Sequence, residues 1–181
     1  MSSFSSDQRH ARTSKLIAMI LLLCIDLALN CTLDYDEYSS DSTAAEDWLE
    51  WDGGVPSALL ALQAIIQVSI FLALFLAMAD TFLFRVGLLG VLIRKFKVVI
   101  FLHPLYLACT LFTGVYRVQK LQSSASVATL WRDDTFIFLS IVQKMVAILY
   151  YLFNVRATVK LGDAKYFDKA AWMSLLRKPG A

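Results

Sequence analysis

The sequence predicts an all-α fold: a polytopic membrane protein built as a four-helix transmembrane bundle with both termini cytoplasmic. Of its 181 residues, 58% are hydrophobic and 18% are charged, which is too apolar for an ordinary soluble domain. Four apolar segments each approach the ~20 residues that a helix needs to cross a bilayer. Lysine and arginine are concentrated on alternate sides of these segments, the pattern that orients membrane helices.

The predicted transmembrane domain covers residues 16–155, with spans at residues 16–33, 59–79, 98–116 and 135–155. It lies between a cytoplasmic tail at residues 1–15 and a basic cytoplasmic tail at residues 156–181, with an acidic exterior loop at residues 34–56.

The first span has the basic flank and apolar core of a signal sequence. Cys24, Ile25 and Asp26 stand where small residues would mark a cleavage site. We therefore expect this segment to be retained as a span.

The orientation follows from the positions of the basic residues. Three precede the first span, four lie in residues 84–97 and six in the carboxy-terminal tail. Residues 34–56 contain none and residues 117–134 contain three. Because basic flanks are retained in the cytoplasm, both termini are predicted to be cytoplasmic.

The exterior loop at residues 34–56 is acidic and contains no lysine or arginine. Its glycines, Gly53 and Gly54, come after the acids, whereas a calcium-binding EF-hand loop needs a central glycine. The loop is interpreted as a solvated acidic segment. Asn30 begins an Asn-Cys-Thr glycosylation sequon, but it lies at the mouth of the first span, so its use is not expected.

Two groups of basic residues flank the predicted spans on the cytoplasmic side. The connection at residues 84–97 has an apolar middle and is expected to lie on the membrane surface. Basic side chains beside a cytoplasmic leaflet contribute about 1 kcal/mol each through anionic lipids. The residues expected to contact lipid or a partner are Arg94, Lys95, Lys97, Arg156 and Lys160.

Two ionisable residues lie deep inside the predicted spans, Asp26 in the first and Lys144 in the fourth. Counting residues from each span's end places them at similar depth, at about 1.5 Å of rise per residue. The sequence thus predicts a structural interhelical ion pair, with Gln143 or Asn30 nearby. The alternative is a small transporter or channel subunit in which Asp26, Lys144 and His103 relay protons or bind a substrate.

No catalytic constellation is recognisable, and we expect the protein not to be an enzyme. The chain contains no GxSxG nucleophile motif, no phosphate-binding glycine loop and no HExxH zinc-protease motif. Its three cysteines show neither CxxC spacing nor a partnered histidine. No cofactor or metal is expected. The basic runs lack the interleaved aromatic residues of a nucleic-acid surface, so neither a nucleic acid nor a small-molecule substrate is expected as a partner.

A series of short motifs extends from the end of the second span into the carboxy-terminal tail. They are Asp80-Thr81-Phe82-Leu83-Phe84, Gly87-Leu88, Lys95-Phe96-Lys97, Gln143-Lys144, Leu149-Tyr150, Val159-Lys160-Leu161-Gly162-Asp163 and Trp172. In this order and spacing the chain resembles the transmembrane protein 138 family. Asp26-Leu27 with Asn30 is similar to the family's first span, while the acidic loop does not match.

The resemblance implies a non-enzymatic, multi-pass membrane protein required for cilium assembly. It implies a location at the cilium and on vesicle or vacuole membranes, with the lipid bilayer and other ciliary membrane or trafficking proteins as partners. The family has no catalytic residues to carry over. The longer acidic loop, the longer amino-terminal tail and a one-residue shift between Trp131 and Lys144 depart from its pattern, so partners that depend on the loop do not carry over.

Overall fold

The described residues form five helices, four of them long. The computed structural model describes residues 2–39, 54–87, 89–123, 130–163 and 166–167. The helices are α1 (Ser2–Ser39), α2 (Gly54–Ala79), α3 (Phe82–Arg85), α4 (Leu89–Gln122) and α5 (Asp134–Leu161). Each long helix is apolar enough to cross a membrane, which confirms the predicted all-α, four-span fold.

The apolar stretches of these helices exceed some of the predicted spans. They cover Thr13–Cys31, Ser57–Ala79, Gly90–Gln122 and Asp134–Leu161. The difference is largest in α4, because much of the connection at residues 84–97 is helical and forms the first turns of this helix. Leu92 and Phe96 in these turns are buried in the bundle, 0% and 2% exposed.

The connection between α2 and α4 is short and locally bonded. The Thr81 hydroxyl donates to the Met78 carbonyl oxygen at 2.7 Å and accepts from the Phe84 backbone N–H at 3.4 Å, so it caps α3. Gly87 follows with φ +80°, a left-handed conformation that glycine adopts without steric cost. The turn reverses the chain and places α4 antiparallel to α2.

The bundle has two distinct ends. At the terminal end, where α1 enters and α5 leaves the predicted membrane region, Lys15 forms an ion pair with Asp80. At the loop end, Lys120 Nζ lies 2.9 Å from Asp133 Oδ2. The chain enters and leaves the bundle at the same end, and the basic residues predict that this end faces the cytoplasm.

Around the bundle the long helices follow the order α1, α2, α4, α5, with α4 and α5 in the most extensive contact. Buried residues recur at alternating spacings of three and four, as in Met19, Leu23, Asp26 and Asn30 of α1. The outer faces carry large exposed apolar side chains that suit contact with lipid tails, including Ile65, Phe101, Phe112, Phe138, Ile148 and Val159.

An apolar core fills the terminal half of the bundle, and we call it the terminal cluster. Its buried members come from all four long helices and from Tyr166 after α5: Met19, Leu74, Ala77, Met78, Leu92, Phe96, Val99, Ala157, Leu161 and Tyr166. A second buried cluster of Leu23, Ile70, Tyr106, Ala147 and Tyr150 lies next to it, nearer the loop end.

Part of two predicted regions lies outside the described residues. The helix α1 continues to Ser39, so the start of the predicted acidic loop is helical, while residues 40–53 are not described. The basic tail is described only as far as residue 167, with residues 164 and 165 also outside the described set.

Candidate functional site: a buried polar network

The buried stripe of each long helix turns from apolar to polar toward the loop end. In the terminal half the buried polar side chains are few, namely Thr81, Asn154 and Thr158 beside the terminal cluster. From the level of the second cluster toward the loop end, the stripes carry more polar side chains. Buried polar groups require hydrogen-bond partners, most of all within a membrane. The polar side chains of this region that are at most 6% exposed are Asp26, Asn30, Gln63, Gln67, His103, Thr110, Thr113, Ser140 and Gln143.

Asp26 of α1 is the acidic centre of this network and is fully buried. Its Oδ2 accepts a hydrogen bond of 2.7 Å from the Tyr151 hydroxyl of α5. Its Oδ1 accepts one of 3.2 Å from Gln67 Nε2 of α2. The Tyr106 hydroxyl of α4 lies 3.1 Å from that of Tyr151, so side chains of all four long helices meet at this carboxyl group.

Gln67 joins the carboxyl group to α4. Its Nε2 also donates to the Thr110 hydroxyl at 3.2 Å, and its backbone carbonyl oxygen lies 3.0 Å from His103 Nε2. Because a carbonyl oxygen only accepts, we assign the proton to His103 Nε2. The Tyr150 hydroxyl lies 3.3 Å from the same nitrogen. One glutamine thus ties α1, α2 and α4 together.

Aromatic rings line the junction between α4 and α5. The rings of Tyr106 and Tyr150 stack with centroids 4.4 Å apart, and Tyr150 meets Tyr151 edge to face at 5.2 Å. His103 lies 4.9 Å from Tyr150 and 4.9 Å from Phe71. Such pairs contribute ~0.5–1.5 kcal/mol each beyond the area they bury, so they hold the tyrosine hydroxyls in position.

Lys144 binds Asn30, and not Asp26 as predicted. Its Nζ donates to Asn30 Oδ1 at 2.9 Å and to the Asn30 backbone oxygen at 3.3 Å, while Gln143 Nε2 lies 3.5 Å from the same Oδ1. Asp26 has Tyr151 and Gln67 as its partners instead. Asn30 and Gln143, which the sequence placed near the lysine, are indeed its neighbours.

The direction of side chains explains why the predicted ion pair does not form. Every Cα–Cβ bond of a helix tilts toward that helix's amino terminus. In the antiparallel helices α1 and α5, this tilt points Asp26 toward the terminal end and Lys144 toward the loop end. Equal depth of the two backbones therefore leaves the charged groups apart. Asn30, one turn nearer the loop end than Asp26, lies where the lysine reaches.

The same contact places the sequon asparagine inside the bundle. Asn30 is 6% exposed, and its side-chain oxygen is bonded to Lys144. This is a packing position between α1 and α5.

The five predicted lipid or partner contacts all lie at the terminal end. Arg94, Lys95 and Lys97 are exposed on the first turns of α4, and Arg156 and Lys160 are exposed on the last turns of α5. The two groups lie at the same end of two antiparallel, neighbouring helices, and we call these five exposed residues the basic surface. Lys95 Nζ also lies 5.2 Å from the centre of the buried Tyr166 ring.

A smaller polar group stands at the loop end, where α4 ends and α5 begins. Asp133 caps α5 by accepting from the Thr135 N–H at 3.0 Å, and it accepts from the Tyr116 hydroxyl at 2.8 Å. Hydrogen bonding by Lys120 is the largest cause that lowers the pKa of the Asp133 carboxyl, to about 2. The acid is therefore ionised at neutral pH.

Sequence reasoning singled out the charges and missed the uncharged partners. The Asp26 carboxyl group is bonded directly to Gln67 and Tyr151, and through them it is connected to Thr110 and Tyr106. None of these four residues lowers the hydropathy of its apolar segment strongly. One signal was available: Gln63 and Gln67 stand four residues apart, and therefore on one face, in an otherwise apolar helix.

The four spans and their buried polar network define an integral, multi-pass membrane protein. Among the described residues, no group of histidine, cysteine, aspartate or glutamate side chains is arranged to hold a metal ion. The sequence model of the Transmembrane protein 138 family matches residues 58–175, and the chain belongs to that family.

Transmembrane protein 138 from three vertebrates gives the extent of the similarity. The Mus musculus protein is 32% identical over 130 residues, covering 65% of this chain and 78% of the relative. The Danio rerio protein is 29% identical over 128 residues, with the same coverage. The Xenopus tropicalis protein is 28% identical over 102 residues, covering 56% of this chain and 62% of the relative. No solved structure matches.

Proposed function

We propose that this chain is a non-enzymatic membrane protein required for cilium assembly, located at the cilium and on the vesicle or vacuole membranes that supply it. The observation that carries the proposal is the family match over residues 58–175, which extends from the second span into the carboxy-terminal tail. The motif resemblance in the sequence supports the same role.

The geometry supports action through contacts with membranes and with other proteins. The basic surface presents Arg94, Lys97, Arg156 and Lys160 beside the predicted cytoplasmic leaflet, all exposed. Anionic lipid headgroups attract each such charge by about 1 kcal/mol, and acidic segments of trafficking proteins would be attracted by the same chemistry. The exposed apolar faces of the spans suit packing against other membrane proteins.

The transporter alternative has no specific observation in its favour. Asp26 and Lys144 are bonded to neighbouring side chains of the bundle. Between this network and the terminal end, the described part of the bundle is filled by the terminal cluster of apolar side chains. The polar network is accordingly interpreted as a structural element.

The proposal is tested by deleting the gene in a ciliated cell and expressing tagged variants. We expect short or absent cilia on deletion, rescue by the wild-type chain, and tagged protein at the cilium and on vesicles or vacuoles. Replacing Arg94, Lys97, Arg156 and Lys160 of the basic surface by glutamine should weaken rescue. The matched control exchanges arginine and lysine at the same four positions, which keeps the charge and should rescue. Normal cilia after deletion would refute the proposal.

A further inference from the structure

Three buried polar atoms without a hydrogen-bond partner belong to neighbouring turns of α2 and α4, beside the Asp26 network. They are Gln63 Nε2, Gln67 Oε1 and Thr113 Oγ1. Their residues are 2%, 0% and 3% exposed, so bulk solvent does not reach them. The orientation of Gln67 is fixed, because its Nε2 faces the Asp26 carboxyl group and its oxygen must point elsewhere.

The register of α2 and α4 brings these atoms to one place. Gln67 Nε2 and Thr110 Oγ1, 3.2 Å apart, set the two antiparallel helices level with each other. Toward the loop end, Gln63 is one turn further along α2, and Thr113 is about one turn further along α4. Still nearer the loop end the helices are in close contact. A Cβ added at Gly114 would lie 2.3 Å from Leu60 Cδ1. The three atoms therefore lie between a hydrogen bond on one side and an apolar contact on the other.

The chemistry of the three atoms identifies what they would bind. Gln63 Nε2 donates, Gln67 Oε1 accepts, and the Thr113 hydroxyl does either. A metal ion would need oxygen ligands only, and the amide hydrogens of Gln63 would oppose it. A water molecule accepts from one group and donates to another, and buried waters typically make about three such bonds.

We propose that an internal water molecule is bound between α2 and α4 by Gln63, Gln67 and Thr113. The site extends the polar network one turn toward the loop end and links Thr113 to the Asp26 carboxyl group through Gln67. The side chains of the terminal cluster are hydrophobic and offer a dry reference within the same bundle. The proposed water site is a property separate from the proposed role in cilium assembly.

The direct test is water-edited solid-state NMR of the full chain in bilayers. Magnetisation from water protons should reach the Gln63 side-chain amide quickly, and the Leu74 methyl groups of the terminal cluster only slowly. Equal build-up at the two positions would overturn the proposal.

The Thr113→Val variant gives an independent answer through the sign of its effect on stability. If the hydroxyl binds water, its loss should lower the folded-to-unfolded ratio about five-fold, the equivalent of one net hydrogen bond. If the site is dry, removing an unpaired hydroxyl should raise that ratio, because an isosteric apolar group avoids the desolvation cost. Thr113→Ser, which keeps the hydroxyl, is the matched control. A stabilised Thr113→Val protein would overturn the proposal.

Discussion

Removing the Tyr151 hydroxyl tests the central contact of the buried network. The hydroxyl donates to Asp26 Oδ2 at 2.7 Å, and the Tyr106 hydroxyl oxygen lies 3.1 Å from the Tyr151 hydroxyl oxygen. Double-mutant cycles inside membranes reach ~1.7 kcal/mol for a strong side-chain contact, and loss of the contact with Tyr106 adds ~0.5 kcal/mol. We therefore expect Tyr151→Phe to lower the free energy of unfolding by about 2 kcal/mol.

The assay is equilibrium unfolding of the purified full chain in mixed micelles titrated with a denaturing detergent. Tyr150→Phe is the matched control, since the Tyr150 hydroxyl contacts His103 Nε2 at 3.3 Å and not a carboxyl group. Its expected cost is about 0.6 kcal/mol, the average for hydrogen bonds between membrane helices.

A double-mutant cycle with Asp26→Leu separates the contact from general effects of losing the hydroxyl. In the Asp26→Leu background the carboxyl acceptor is gone, so Tyr151→Phe should cost less than about 0.5 kcal/mol, leaving a coupling of about 1.5 kcal/mol. An equal cost of Tyr151→Phe in both backgrounds would refute the assigned hydrogen bond.

Three further predictions follow from other contacts. Exchanging the charges of Asp26 and Lys144 should not restore the expression lost by either single reversal, because the two side chains have different partners; recovery in a membrane-fraction blot would contradict this. Gly87→Ala should cost about 1 kcal/mol for its left-handed conformation, whereas Gly90→Ala, within α4, should stabilise by about 0.5–1 kcal/mol; equal shifts in unfolding midpoint would contradict the assigned backbone. The lowered pKa of Asp133 means that its contribution to stability is present above the usual carboxyl value of 3.8 and is lost as the pH falls through about 2. Asp133→Asn keeps the helix cap and should abolish this part of the pH dependence of unfolding; an unchanged acid limb would contradict the ion pair.

The number of spans was predictable from the sequence because hydropathy and length set it directly. The start of α4 was not, for a reason visible in its first turns. Arg94, Lys95 and Lys97 lower the average hydropathy there, yet they are exposed while Leu92 and Phe96 are buried. Hydropathy averaged over a whole turn combines the exposed basic face with the buried apolar face. Following the helical period along the sequence separates the two faces.

The charged residues of the site were predictable, but their hydrogen-bond partners were not. The depths of Asp26 and Lys144 followed from counting residues, but the choice of partner depended on which way each side chain leans. The partners of Asp26 that were missed are uncharged, and an amide or phenol in an apolar span gives a weak signal. Their roles depend on the packing of four helices, which residue spacing and hydropathy alone do not reveal.

Tyr166 lies in the carboxy-terminal tail and is buried in the terminal cluster, so a force on the tail acts directly on the helices. Its ring is 1% exposed and packs against Phe96 with ring centroids 6.1 Å apart. A protein that binds the chain beyond Phe167 therefore holds a segment attached, within two residues, to a side chain of the core. Tension on that segment would be transmitted directly to the start of α4, and a truncation before Tyr166 would leave a gap at the end of the bundle.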